Sequence, residues 1–381
     1  MKRAGILLAL LVVLGTLPRG AGAVELETAG KSACLMDVAT GTVLYERNAH
    51  ERLAPASVTK IMTMLLIMEA IDEGRLSWTD TVTASEAAAA KGGSQIYLKA
   101  GETMPVSDMV KSIAVSSAND CACAMAEHLW GTERAFVEKM NEKAQALGME
   151  DTHFVNCTGL DDGPEASDHK TSAYDVAIMS RQLLKYHPDI RNYTTIWMDS
   201  VRGGTFGLSN TNKLIRFYPG ATGLKTGFTA GAGYCLSASA QREGMELIAV
   251  VMGAETSAAR NAACKQLLDY GFAGYTLVCP PVEDRQVSIR LGTEATVEAV
   301  PESGEGILIE KARAGTLQWE VDLPDTLTAP VAENQPLGHL TLHAGDHPLA
   351  QIPLKAKSQV PRLTPTQIFG KVLKKAAMGG E

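Results

Sequence analysis

Residues 54–71 read APASVTKIMTMLLIMEAI. From Val58 to Ile71 the run is apolar nearly all round, the pattern of a helix buried inside a domain rather than lying on its surface. Pro55 sits at its start, where a missing N–H costs nothing, and Gly74 follows its end. At the mouth of this segment stands Lys60, three residues after Ser57. A buried ammonium is costly unless it is paired or loses its proton, so this lysine either escapes to water or does chemistry. Positions three apart on a helix share a face. An amine there can reach the hydroxyl and withdraw its proton if burial has lowered its pKa. The helix N-terminus adds unpaired N–H donors and a positive field, which help hold a developing oxyanion.

Around this helix the chain mixes strands and helices. SACLMDVATGTVLYE (32–46) predicts a strand, a turn at Thr40-Gly41 and a second strand. Asn119 to Trp130 predicts a helix stopped by Gly131, and Ala135 to Leu147 another stopped by Gly148. Ser172 to Tyr186 is a third, and Ser257 to Tyr270 a fourth capped by Gly271. GLKTGFT, GYCLSASAQ and MELIAVVMGA read as strands, the last two joined by a tight hairpin at Arg242-Glu243-Gly244. The class is α+β, an antiparallel sheet with helices packed on it. Asn156 to Lys170, dominated by Gly, Pro and Asp, is loop. From Cys279-Pro280-Pro281 the pattern becomes short alternating runs such as QVSIRL, LQWEVDL and GHLTLHA, which predicts a small all-β sandwich over 279–360. The domains expected are thus 24–277 and 279–360.

The termini carry their own signals. MKRAGILLALLVVLGTLPRGAGAVE has a basic start, an apolar stretch too short for a comfortable span and a small-x-small site at Ala21-Gly22-Ala23. It predicts a signal peptide over 1–23 and an exported protein. At the other end, 361–381, Ile368, Phe369, Val372 and Leu373 share a helical face. A peripheral membrane contact through 362–376 is the expectation, although the helix is short and Gly370 is read as interrupting it.

Composition narrows the function. The whole chain has 381 residues, net charge −8 and only 5% aromatic residues. Removal of the leader takes away Lys2, Arg3 and Arg19 and no acid. A chain this acidic is no binder of nucleic-acid backbones. The seven cysteines are odd in number and mostly flanked by apolar residues, so small buried thiols fit better than a disulfide framework. His339, His343 and His347 are four apart, but GHLTLHA alternates like a strand, and no metal is expected there.

Three motifs carry the chemistry. S-x-x-K occurs twice, at Ser57–Lys60 and at Ser167–Lys170; the second lies in the loop without a buried helix to position it and is read as solvated and inert. Ser117-Ala118-Asn119 stands at a loop-to-helix junction, where a hydroxyl can relay a proton and a carboxamide can grip an amide; alone it would be an ordinary N-cap. Lys225-Thr226-Gly227 heads a strand and supplies a charge, a hydrogen bond and room for substrate against the strand edge. In this order the three are far more specific than any one, and they correspond to the motif set of serine acyl-enzymes that react with penicillin, with SAN in place of SDN.

On these motifs and their flanks, PASVTKIMT, SSANDCACAMAE and GLKTGFTAGAGYCLSASA, residues 28–277 resemble the low-molecular-mass penicillin-binding proteins that are serine D-Ala-D-Ala carboxypeptidases. The resemblance implies a β-lactamase/transpeptidase-like domain, a Ser57 acyl-enzyme, Lys60 as base and a proton relay through Ser117 and Lys225. It also implies backbone oxyanion donors at Ser57 and Phe228, substrate contacts from Asn119, Lys225, Thr226 and Gly227, and Arg260 on the substrate's terminal carboxylate. An arginine fork suits that task, whereas a surface salt bridge is its ordinary alternative. No cofactor is implied; the partners would be peptidoglycan stem peptides and β-lactams as covalent inhibitors, at the outer face of the cytoplasmic membrane. A β-lactamase and a non-catalytic wall-binding protein are the alternatives. No glutamate stands in an E-x-x-L-N setting, which disfavours the class A β-lactamase.

Overall fold

A computed structural model describes residues 26–377, except 27, 164, 303 and 305. The expected leader, 1–23, lies outside the described residues.

In chain order the first domain contains β1 (Ser32–Asp37), β2 (Val43–Arg47), α1 (Lys60–Asp72), α2 (Val106–Ser116), α3 (Asn119–Trp130), α4 (Glu133–Ala146), α5 (Ala173–Tyr186), β3 (Ala221–Thr229), β4 (Gly233–Arg242), β5 (Met245–Ala254) and α6 (Ser257–Gly274). The strands form one antiparallel sheet in the order β2-β1-β5-β4-β3. The first strand of the chain therefore pairs with the last of this sheet.

Period two explains why MELIAVVMGA has no polar face. Ile248, Val250 and Met252 pack into the core that contains α1, α3 and α5. Leu247, Ala249 and Val251 point the other way, onto Leu267 and Leu268 of α6. A strand covered on both faces reads as continuous apolar sequence. Helix α1 lies inside the first core, buried from Lys60 to Met68, as its all-round apolarity requires. The β4–β5 turn is Glu243-Gly244, both at positive φ (49° and 81°), the geometry that matches strand twist.

Three features depart from expectation. Ser57 lies on a 3-10 turn, Ala56–Thr59, and α1 proper begins at Lys60. Helix α6 does not stop at Gly271; it runs to Gly274, with Gly271 packed on Leu247 and Leu35. Helix α2 and two short hairpins, Thr81–Thr83 with Thr103–Pro105 and Met198–Val201 with Phe206–Ser209, are additions to the expected elements.

After α6 come β6 (Tyr275–Val278), β7 (Gln286–Arg290), β8 (Thr296–Pro301), β9 (Ile307–Glu310), β10 (Leu317–Asp322), β11 (Thr326–Thr328), β12 (Pro336–Ala344) and β13 (His347–Ala356). The all-β reading holds: six strands run β10-β12-β13-β8-β7-β11 around a core of Val287, Val297, Leu340 and Leu354. His339 and His343 lie on β12 and His347 begins β13, so the histidines follow strand rather than helix geometry. β6, which directly follows α6, pairs with β9, so strand pairing crosses the expected boundary near 278.

The tail forms α7 (Pro365–Ala377), which passes through Gly370 without a break. A single glycine costs a helix only about 1 kcal/mol, too little to stop it. Phe369, Val372 and Leu373 are exposed on it. No described helix is long and apolar enough to cross a membrane.

Candidate active site

The turn that carries Ser57 is 3-10, in which residues three apart eclipse one another. That places Lys60 Nζ 3.0 Å from Ser57 Oγ. Lys60 is fully buried, and its nitrogen also donates to the Thr158 carbonyl at 2.7 Å. Burial outweighs the opposing influence of Cys157 and Asp120 and pushes the amine down to about 7. The buried lysine posed by the sequence is thus held within reach of the hydroxyl, in a setting that favours its neutral form.

Strand β3 closes the other side. Lys225 is buried, and desolvation, then the charges of Lys60 and Arg260, drive it well below the ordinary lysine value. Its nitrogen donates to the Thr226 carbonyl at 2.9 Å. Thr226 donates its hydroxyl to Thr211 at 2.7 Å. At Gly227 a Cβ would stand 2.8 Å from the Pro55 carbonyl and 3.1 Å from Ser57 N, so only glycine lets the strand approach the Ser57 turn this closely. Phe228 is exposed beyond it, its ring tilted 32° against that of Tyr234 with centroids 4.3 Å apart.

Ser117 ends α2 in the left-handed region (φ 64°), and Ala118 is extended before α3 starts at Asn119. Ser117 Oγ and Asn119 Oδ1 are buried and have no hydrogen-bond partner among the described residues. The Asn119 amide is fixed by donating to Gly92 O at 2.7 Å. Leaving buried acceptors unpaired costs roughly 1–3 kcal/mol each, a penalty that native structures concentrate where a ligand completes the pairing.

Arg260 is not the surface salt bridge of the ordinary reading. It is buried on α6, donates to Asn261 Oδ1 at 3.0 Å and to Cys235 O at 3.4 Å, and stands over the Tyr234 ring. No carboxylate among the described residues pairs with it. Lys60 and Arg260 lie close enough to Lys225 to depress it, and the buried Arg260 guanidinium, without a carboxylate partner among the described residues, suits an anion.

The Asn156–Lys170 loop contributes more than its composition suggested. Asn156 Oδ1 accepts the N–H groups of Thr158 and Gly159, an Asx turn that aims the Thr158 carbonyl at Lys60. His169, the third residue of the second S-x-x-K, is buried against Thr59. Asp120 accepts the N–H groups of Ile96 and Leu98 and holds the 92–98 loop beside Asn119. Asn156, three residues before Gly159, was a readable turn signal; His169 and Asp120 carried none. Of the cysteines, six are buried and free, as their apolar flanks implied, and Cys279 is exposed.

Residues 20–256 match the family described as D-alanyl-D-alanine carboxypeptidase, and residues 281–362 match the C-terminal domain of penicillin-binding protein 5. The chain is 45% identical over 345 residues to the D-alanyl-D-alanine carboxypeptidase DacF of Bacillus subtilis, covering 88% of this chain and 87% of that protein. It is 34% identical to DacD of Escherichia coli, covering 84% of each. Among solved structures, penicillin-binding protein 5 from Haemophilus influenzae superposes with a TM-score of 0.74 at 29% identity, over 90% of this chain and all of that one. Penicillin-binding protein D2 from Listeria monocytogenes in an ampicillin-bound form gives 0.59 at 31% identity, over 65% of this chain and 99% of that one.

Proposed function

The chain belongs to the D-alanyl-D-alanine carboxypeptidase family, and from that premise we propose that Ser57 is its acylated nucleophile and Lys60 the base that activates it. The protein is a serine-type D-Ala-D-Ala carboxypeptidase that acts on cell-wall peptidoglycan and binds β-lactams. The observation that carries the residue assignment is the 3.0 Å contact between Ser57 Oγ and a fully buried Lys60 amine.

The reaction follows from that contact. Neutral Lys60 takes the hydroxyl proton as Ser57 Oγ bonds to the carbonyl carbon between the two D-alanines. The carbonyl π electrons move to oxygen, and the backbone N–H groups of Ser57 and Phe228 hold the oxyanion. When the tetrahedral carbon collapses, the C–N bond breaks and the departing amine takes a proton, passed from Lys60 through Ser117 and Lys225. Water then attacks the acyl carbonyl and loses a proton to Lys60. Ser57 leaves and recovers a proton, so the sum is hydrolysis of one peptide bond and release of D-alanine. Arg260 and Lys225 bind the terminal carboxylate, while Asn119 grips the penultimate peptide unit.

The experiment is intact-mass spectrometry before and after penicillin. Wild type gains one β-lactam mass; Ser57→Ala gains none and releases no D-alanine from a pentapeptide. Full acylation of that variant would remove Ser57 from the mechanism.

Action is extracytoplasmic, as for the family. We further infer that 1–23 is an export leader and that α7 rests on the outer face of the membrane by way of Phe369, Val372 and Leu373, which are exposed together on a basic helix. Cosedimentation with anionic vesicles that is lost on deletion of 362–376 checks this; unchanged sedimentation would refute it.

A further inference from the structure

The buried histidine behind the nucleophile has no part in the reaction just described. Its hydrogen bonds have only one consistent direction. His169 Nδ1 faces the Val155 N–H at 3.0 Å, and a backbone N–H can only donate. Nδ1 therefore carries the lone pair, and the ring proton sits on Nε2. Nε2 lies 2.8 Å from Thr59 Oγ1 and donates to it. The Thr59 hydroxyl then has its own proton free, and it donates to the Ala56 carbonyl at 2.8 Å. Val155, His169, Thr59 and Ala56 thus form one directed chain, buried from His169 inward.

The chain ends on strained backbone. Ala56 has φ +48°, the left-handed region, which is strained for a non-glycine residue. Such a conformation persists only where the surroundings over-determine it. Two groups do so here. Thr59 grips the Ala56 oxygen, and Gly159 presses on it so closely that a Cβ there would lie 1.8 Å away. Gly159 itself has φ +83°. Ala56 immediately precedes Ser57, and Thr59 immediately precedes Lys60, so the chain braces both members of the reacting pair.

We propose that His169 is a positioning residue for acylation: through Thr59 it fixes the Ala56 carbonyl and so the backbone that presents the Ser57 hydroxyl and N–H. The inference rests on Ser57 being the acylated nucleophile. Burial, then the charges of His153, Lys60 and Lys170, hold the ring down to about 4, so the donating tautomer persists across the neutral range. Phe154 meets the ring edge-on and sets its plane. Displacement of a reacting atom by about 1 Å can cost on the order of 100-fold in rate.

The test compares two amides on the full chain. Asparagine at 169 can replace Nδ1 as acceptor for Val155 but does not reach Thr59; glutamine reaches Thr59 and can donate to it. With a fluorescent penicillin, His169→Asn is expected to lower the first-order acylation constant by about 10- to 100-fold with the noncovalent dissociation constant unchanged. His169→Gln should restore most of the rate. Thr59→Val should match His169→Asn, and combining the two should add nothing, because both cut one chain. Equal losses in Asn and Gln, additive losses in the double variant, or a loss confined to noncovalent binding would overturn the proposal. If His169→Asn fails to fold in a thermal melt, Thr59→Ser against Thr59→Val makes the same comparison, and equal rates for those two would overturn it. Ser57→Ala, run in parallel, separates the premises: labelling of that variant would defeat the nucleophile assignment itself, whatever the His169 variants do.

Discussion

Ser57–Lys60 and Ser167–Lys170 share a spacing and a local geometry, since each serine lies on a short 3-10 turn. They share no chemistry. Lys60 opens a thirteen-residue helix buried through the core, and its amine is sealed between Ser57 and Thr158. Ser167 is exposed, and Lys170 is half-buried, its backbone spent on a bridge to His153. Lys170 has no such seal. The spacing brings the two atoms together, but exclusion of solvent makes the reagent.

The comparison breaks most visibly at the amine. Lys60→Gln keeps a similar length and removes the base; acylation by penicillin should fall by about 10²- to 10⁴-fold, the usual worth of a positioned general base. An acylation rate within a few-fold of wild type would mean that another group takes the proton. A smaller effect sharpens the comparison through pH. With Lys60 pushed down to about 7, the acylation rate should climb about tenfold per pH unit below that point and level off above it. The sign for stability follows from the same depression. The unfolded lysine titrates near 10.4 and the folded one near 7, so the unfolded chain binds more protons in that window, and this group's contribution favours folding increasingly as pH rises through it. A flat rate profile from pH 6 to 8 would count against a neutral amine as base. The smallest effect belongs to the second motif: Lys170→Gln should leave acylation unchanged and shift stability by no more than about 0.5 kcal/mol, as surface changes do. Labelled peptide mapping with that variant would expose any acylation at Ser167.

These two motifs also mark how far sequence carries. The central strands and the helices at 60–72, 119–130 and 173–186 were legible because their apolar patterns, continuous or periodic, run for many residues. The hairpins at 81–105 and 198–209 have strands of three or four residues, too short for a period to declare itself. Helix α6 overran its expected stop because tertiary packing at Gly271 outweighed a weak local signal. In the site, Ser57, Lys60, Ser117, Asn119 and Lys225 were found through motif order. His169 was not, since its contact with Thr59 spans 110 positions, and nothing local distinguishes a histidine that braces from one that floats. The loop that carries the second S-x-x-K, a motif read as solvated and inert, supplies both that brace and the carbonyl that holds Lys60.

The pairing of β1 with β5 has a consequence for the newborn chain. A ribosome delivers Ser57, the proposed nucleophile, early and the KTG strand much later, and the sheet cannot close until residue 254 has emerged. Non-local closure of this kind is slow. A partly made chain therefore carries its serine and lysine without the enclosure that arms them, and the hydroxyl stays chemically silent until synthesis of the whole domain is complete.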